Sequence, residues 1–375
     1  GALGIGCGTF SGDTGDDVTV GESPFYISPD GNEFASGTEF DPFSSLYAAF
    51  SQTESGDTIY VLPGTYTGDY NQDINPDDDH DISIIGTGSV DETVFDVTSS
   101  HFIYLDKNSA TIQNITFTGN IGNSSFVIYA DSYSGSPDIL NLDNCKFVDI
   151  QQARAVQIST DMTVNISDCV FSGNIGPSND PGGSAIRMGS SSTLNLSNCL
   201  FYDNQSIHYG NHKGAISVSS SYYTMNIDHC TFYDNGGEGS LAIYDDNTGS
   251  SKYINVTNSI FYSDVIDAEY ADLSVTYSLI YDVDGTGNFY NDPLFCDADS
   301  SDFTLYNNSP CAGTGSDGSH IGALGIGCGT YSGETGDDVT VGDSPYYISP
   351  DGNEFASGAE FDPFGSLYAA FEQTE

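Results

Sequence analysis

Tryptophan is absent from this 375-residue chain, methionine occurs three times, and lysine and arginine together six times. The shortage of bases excludes most. Against 54 acidic residues it leaves a formal net charge of −48, and such a chain repels nucleic acid and anionic membrane surfaces. Catalytic schemes that need clustered cations are short of material: Lys107, Lys146, Arg154, Arg187, Lys213 and Lys252 are the full set. No apolar run approaches the roughly 18 residues of a membrane span, so membrane insertion of this segment is not expected. GxSxG, HExxH and phosphate-loop motifs are missing. No signal peptide is visible and the first residue is Gly1, which reads as a mature chain or an excerpt.

What is present is a dense supply of aromatic residues, 25 Tyr and 22 Phe, with 43 Gly. A short motif recurs: LNLDNCKF (140–147), VNISDCVF (164–171), LNLSNCLF (194–201), MNIDHCTF (225–232) and INVTNSIF (254–261). Cys145, Cys169, Cys199 and Cys230 share one place in it, taken by Ser259 in the fifth copy and by Ile115 and Ser278 in flanking ones. Each copy alternates apolar and polar residues, the period of a strand. Asn120, Asn174, Asn204 and Asn235 each follow a phenylalanine by three residues. One such coil cannot bury its inward face alone. Stacking coils at about 4.8 Å pairs every strand with its copies and lays identical side chains in ladders. The expectation is an all-β right-handed parallel β-helix of about ten coils. The four cysteines should form an inward ladder of buried thiols, too far apart for disulfides.

A helix is expected near 41–50, with Asp41 as N-cap, Pro42 at the first position, and Phe43, Leu46, Tyr47 and Phe50 on one face. It would cap the open end of the stack.

A longer period also exists. Residues 1–54 return at 322–375 with seven differences, an offset of 321. This reads as a tandem array. Residues 1–21 are then an inter-unit joint ending a preceding repeat. Residues 22–321 are one β-helix unit with an irregular exit segment, 291–321. Residues 322–342 are the next joint, and 343–375 begin another unit.

These residues resemble known families. The FxxN and GGAI-type repeats resemble the β-helical passenger regions of chlamydial polymorphic membrane proteins. The entry, YISPDGNEFASGTEFDPFSSLYAAF through GDTIYVLPGTYTG (26–68), resembles the opening of secreted β-helix proteins of the pectate-lyase-like superfamily. The exit, NDPLFCDADSSDFTLYNNSPCAGTGSDGSHIGALGIGC (291–328), resembles the close of bacterial cell-surface β-helix proteins with C-terminal sorting anchors. The resemblance covers roughly residues 22–328 and implies the fold, not one activity.

No acid–base constellation of a polysaccharide lyase or glycoside hydrolase stands out. Asp245 and Asp246 read as a polar turn; His208, His212, His229 and His320 are scattered. No catalytic residue is assigned, and the chain is expected not to be an enzyme. Calcium is the expected cofactor, in two acidic loops: Asp30, Asn32, Glu33 and Asp41, and Asp282, Asp284 and Asn288. Cys296, Cys311 and Cys328 are the disulfide candidates. Cys296–Cys311 is the first choice, with Cys311–Cys328 and a bridge from Cys328 to another unit left open. The leading function is a structural repeat of an extracellular or cell-surface fibre, stalk or adhesin that self-associates through adjacent units. A cell-surface or glycan ligand is a further expected partner. The alternative is a carbohydrate-active or carbohydrate-binding β-helix with Tyr222, Tyr223, Tyr253 and Tyr262 along a groove.

Overall fold

The computed structural model describes residues 21–331, apart from 133–137, 179–181, 207–213, 237–240, 246 and 250. The described residues fall into two compact units, one of Gly21–Pro293 with Pro310–Gly325, the other of Leu294–Ser309 with Ile326–Tyr331.

The first unit is a solenoid of parallel strands. Its first face is a ten-stranded sheet beginning at Phe25–Ile27 and ending at Asp272–Thr276. The repeated motif sets the register, so that Asn165 lies opposite Asn195 and Val164 opposite Leu194. A second and a third face share a 13-stranded sheet. The long strands Thr116–Asp131 and Lys146–Thr160 run through both. Six regular turns with a strand on every face occupy Ala110 to Asp267. The turn before them is interrupted by a 3-10 turn at Val90–Glu92. The chain is thus an all-β parallel solenoid, but not one of ten full coils. Towards both ends the rungs lose one or two faces to capping and irregular segments.

The core is built of ladders. Alternation places one side chain in two inward, and the same inward position recurs on the next rung. Cys145, Cys169, Cys199 and Cys230 are all fully buried, and Ile115, Ser259 and Ser278 hold the same place on flanking rungs. Phe147, Phe171, Phe201, Phe232 and Phe261 stack with ring centroids 4.6–4.8 Å apart. Burying each ring stabilises the fold by about 1.5–3 kcal/mol.

Two corners repeat as strictly as the core. After the first face, Asn114, Asn144, Asp168, Asn198, His229, Asn258 and Tyr277 all take left-handed backbone, φ 48–56°. Asn and Asp tolerate that region best; His229 and Tyr277 are the exceptions. After the second face, Asn174, Asn204 and Asn235 are buried and hydrogen-bonded in series, Asn174 Nδ2 to Asn204 Oδ1 and Asn204 Nδ2 to Asn235 Oδ1, each 2.8 Å. Asp264 ends this series. Its two carboxylate oxygens accept from Asn235 N at 2.8 Å and Asn235 Nδ2 at 2.7 Å. Asn120 is exposed and stands outside it.

The helix is shorter than its pattern suggests. It spans Leu46–Phe50 and is capped by Ser45, whose hydroxyl accepts from Ala48 N. Asp41 does not cap it, because its carboxylate instead accepts from Ser36 N at 2.7 Å. Phe43 stays extended and bridges Ile27. Leu46 and Ala49 face the core, while Tyr47 is exposed.

The second unit has three short strands, Phe295–Asp297, Asp302–Tyr306 and Ile326–Cys328. A disulfide joins Cys296 to Cys328 across a Cα separation of 6.1 Å. This corrects the preferred Cys296–Cys311 pairing. Cys311 belongs to the first unit, where it is buried, whereas both bridged cysteines sit on strands of the second. Residues 1–20 and 332–375 lie outside the described residues. The tandem continuation therefore rests on sequence alone.

Candidate functional site

The outward side of the third face carries a file of one residue per rung. Register places Tyr104 beside Tyr129, then Gln157, Arg187 and Ser217 in succession. A parallel position sets Phe126 beside Arg154. Apart from the Tyr104–Tyr129 pair, the residues of this file change from rung to rung, unlike those of the core. Such freedom from the ladder rule is where a solenoid can place a site.

A pocket of about 370 Å³ opens here, lined by Phe126, Tyr129, Arg154, Gln157, Arg187 and small polar residues including Ser159 and Ser219. Tyr104 and Tyr129 stack with centroids 4.3 Å apart, and Phe126 lies 4.9 Å from Tyr129. Burial raises the Tyr129 phenol well above its ordinary range. It therefore stays neutral and donates to Asp131 Oδ2 at 3.1 Å. His101 borders the aromatic group, 5.9 Å from Phe126. Burial pushes its imidazole down, and Asp73, 3.3 Å away, opposes that.

The two arginines give the pocket its character. Arg154 is 1% exposed, and Arg187 is half-buried. Gly182 leaves the guanidinium of Arg154 its room; a Cβ there would stand 2.8 Å from Nη2. None of the described lysines lines this pocket: Lys107 pairs with Asp78, Lys146 with Asp91, and Lys252 with Asp245. Both arginines of a chain of net charge −48 thus line one aromatic pocket. Flat rings accept the apolar face of a ligand, and a guanidinium matches the two oxygens of a carboxylate, sulfate or phosphate.

Other expected site residues are dispersed. Asp30, Asn32, Glu33 and Asp41 are exposed, and Asn32 Oδ1 is used by Phe34 N. Asn288 Oδ1 accepts from Ser278 N, while its Nδ2 donates to the carbonyls of Val275 and Val283. Asp282 and Asp284 are exposed beside it. Among the described residues no group of three or more His, Cys, Asp and Glu side chains is placed to hold a metal. His208 and His212 lie outside the described residues. Asp245 is not part of a solvated turn. It is buried, and accepts from Lys252 Nζ at 2.6 Å and from the Tyr223 hydroxyl at 2.7 Å. Of the tyrosines expected to share a groove, Tyr223 is buried and Tyr253 and Tyr262 sit on different faces. Sequence reasoning placed Arg154 and Arg187 on strands but missed that they line one pocket.

No helix of the described residues is long and apolar enough to cross a membrane. No curated protein matches the chain. Among solved structures it is similar to a pectin methylesterase from Aspergillus niger, at 14% identity over 72% of this chain and 87% of that one, with a TM-score of 0.43. It is also similar to the pectate lyase Pel9A, at 16% identity over 83% and 98%, TM-score 0.37. A rhamnogalacturonan lyase follows at 12% identity over 72% and 90%, TM-score 0.28. Each carries the name of an enzyme. The expectation that this chain is not an enzyme stands against these named neighbours and is not carried forward. Residues 101–309 match the model of the right-handed β-helix region. They cover more than half the chain and include all the lining residues of the third-face pocket, and the chain belongs to that right-handed β-helix family.

Proposed function

We propose that the third-face pocket binds a polysaccharide bearing acidic groups, and that the chain is an extracellular carbohydrate-binding or carbohydrate-active β-helix. One observation carries this reading: both arginines converge on a pocket walled by Phe126 and Tyr129. The rings offer a stacking surface to a sugar, Gln157 and the serines offer hydrogen bonds to hydroxyls, and the half-buried Arg187, with Arg154 beneath the surface, offers charge to an acidic substituent. The Cys296–Cys328 bridge supports an oxidising exterior as the working place. The 54-residue sequence repeat supports an array in which successive units multiply the same groove along one chain. Calcium in the loops at Asp30–Asp41 and Asp282–Asn288 belongs to the same proposal.

Titration calorimetry with an acidic and a neutral soluble polysaccharide of equal length tests it. The acidic polymer should bind and the neutral one should not. Arg187→Gln should weaken binding about tenfold or more, the worth of a charge-assisted hydrogen bond. Equal affinity for both polymers, or an unchanged affinity in Arg187→Gln, would refute the reading.

A further inference from the structure

His229 interrupts a file that otherwise prefers Asn and Asp. It takes the left-handed corner position, φ 49°, where Asn114, Asn144, Asp168, Asn198 and Asn258 stand on other rungs. Histidine tolerates that backbone, as Tyr277 does two rungs on, and what distinguishes His229 is what its ring touches. Its Nδ1 lies 3.0 Å from Asp228 Oδ2. Its Nε2 lies 3.0 Å from Ser319 Oγ. Asp228 is itself oriented from the next rung. Its Oδ1 accepts from Thr257 Oγ1 at 2.6 Å and from Asn258 Nδ2 at 2.9 Å.

Ser319 comes from a distant segment of the same unit. Residues 310–325 fold back on the coils, fastened by Gly322 N to Asn258 O at 2.8 Å, Ser316 N to Asn258 Oδ1 at 2.8 Å and Ala323 N to Thr231 Oγ1 at 2.9 Å. These bonds set the serine against the histidine across 90 residues of sequence. Ser319 and His229 are only partly buried, so a small ligand can reach them.

From this geometry we infer that Ser319, His229 and Asp228 form a nucleophile, base and orienter for hydrolysis of a neutral carboxylic ester. The three residue types, their order and both distances match the requirements of acyl transfer. With the Nδ1 proton held by Asp228, Nε2 takes the Ser319 proton once the hydroxyl turns from the His320 carbonyl, to which it donates at 3.1 Å. Ser319 Oγ bonds to the acyl carbon as its proton passes to His229 Nε2. The carbon–oxygen bond to the alcohol then breaks, and His229 returns the proton to that leaving oxygen. Water attacks the acyl-serine, its proton passes to His229, and Ser319 recovers it as the carboxylic acid departs. Water is the sole co-reactant. Ser319 and His229 are the catalytic residues; Asp228 is a positioning residue. A neutral substrate is specified because Asp228 and Asp317 flank the serine, Asp317 Oδ1 lying 2.9 Å from Ser319 N. That carboxylate is exposed and must swing aside for the serine amide to donate to the developing oxyanion.

The triad uses different elements from the third-face pocket, so neither reading depends on the other. The test uses the full chain, a fluorophosphonate probe read by mass spectrometry, and hydrolysis of p-nitrophenyl acetate. Wild type should be labelled at Ser319 and hydrolyse the ester. Ser319→Ala should fall to the buffer rate, and His229→Gln should fall at least about a hundredfold. The groups facing His229 are Asp228, Asp317 and His320. Asp228→Asn should lower kcat more than about tenfold. The loss should fall on kcat with KM unchanged, because Asp228 orients His229 and touches no substrate. Circular dichroism confirms that each variant folds, and labelling of wild type requires no variant. An unlabelled wild type, a label on another serine, or full activity in Ser319→Ala would overturn the assignment.

Discussion

Asp264 closes a ladder of asparagines with a carboxyl group, and replacing it by Asn should stabilise the protein at neutral pH. The group is buried, and burial is the main reason its pKa is pushed from 3.8 up to about 7. The hydrogen bonds from Asn235 act the other way, and Asp234 and Asp203 add to the rise. The folded state therefore holds this proton more tightly than the unfolded chain. Its contribution to stability is complete below about pH 4 and is lost as pH climbs towards 7, where a buried negative charge remains. A shift of roughly three units at 1.36 kcal/mol each puts the loss at about 4 kcal/mol, an upper figure for a single group. Asparagine carries no charge, and its amide would continue the series. Asn174, Asn204 and Asn235 donate to the carbonyls of Phe147, Phe171 and Phe201. By the same step an amide at 264 would donate to Phe232, which a carboxylate cannot do. Urea unfolding of wild type and Asp264→Asn at steps between pH 4 and 8.5 measures the difference. Only the difference matters, because many other carboxylates titrate in common. It should be near zero at pH 4 and grow to a few kcal/mol in favour of the variant by pH 8. A difference independent of pH, or a variant less stable than wild type at pH 8, would show that the bonds from Asn235 outweigh the cost of burial.

Two further expectations concern ions. Lys252→Met should destabilise the fold by about 3–5 kcal/mol by stranding the buried Asp245 carboxylate. Recovery of most of that loss in Lys252→Met/Asp245→Leu would confirm the cause, and a single-variant loss under about 1 kcal/mol would contradict it. Calcium at the acidic loops should raise the melting temperature and EDTA should lower it; superimposable melting curves would remove calcium from the proposal.

What was legible in the sequence is what the stacking rule enforces. The inward cysteine and phenylalanine positions must match on every rung, so LNLDNCKF and its relatives carried strand, register and core together. The same rule is silent about the outward side of the third face. Tyr129, Gln157, Arg187 and Ser217 share a file but no residue type, and nothing in their spacing says that they meet. The helix was overextended because Asp41 and Pro42 form a good start signal, yet Asp41 is taken by a local turn and Ser45 caps instead. The Ser319–His229 contact joins segments 90 residues apart, beyond any local pattern. One sign of it was visible, a histidine in a file of asparagines, and it acquired meaning only when Ser319 was placed beside it.

The ladder bonds of the solenoid run along its axis, from each rung to the next. A pull applied between the first and last rungs therefore does not shear a whole sheet at once. It loads one terminal row of hydrogen bonds, as a tooth loads a zipper. Each row that yields frees one turn, about 30 residues where Asn165 and Asn195 are neighbours, or roughly 100 Å of extended chain. The unit should thus lengthen under force rung by rung, in steps of 24 to 31 residues between Asn141 and Asn255, with the phenylalanine stack resisting each.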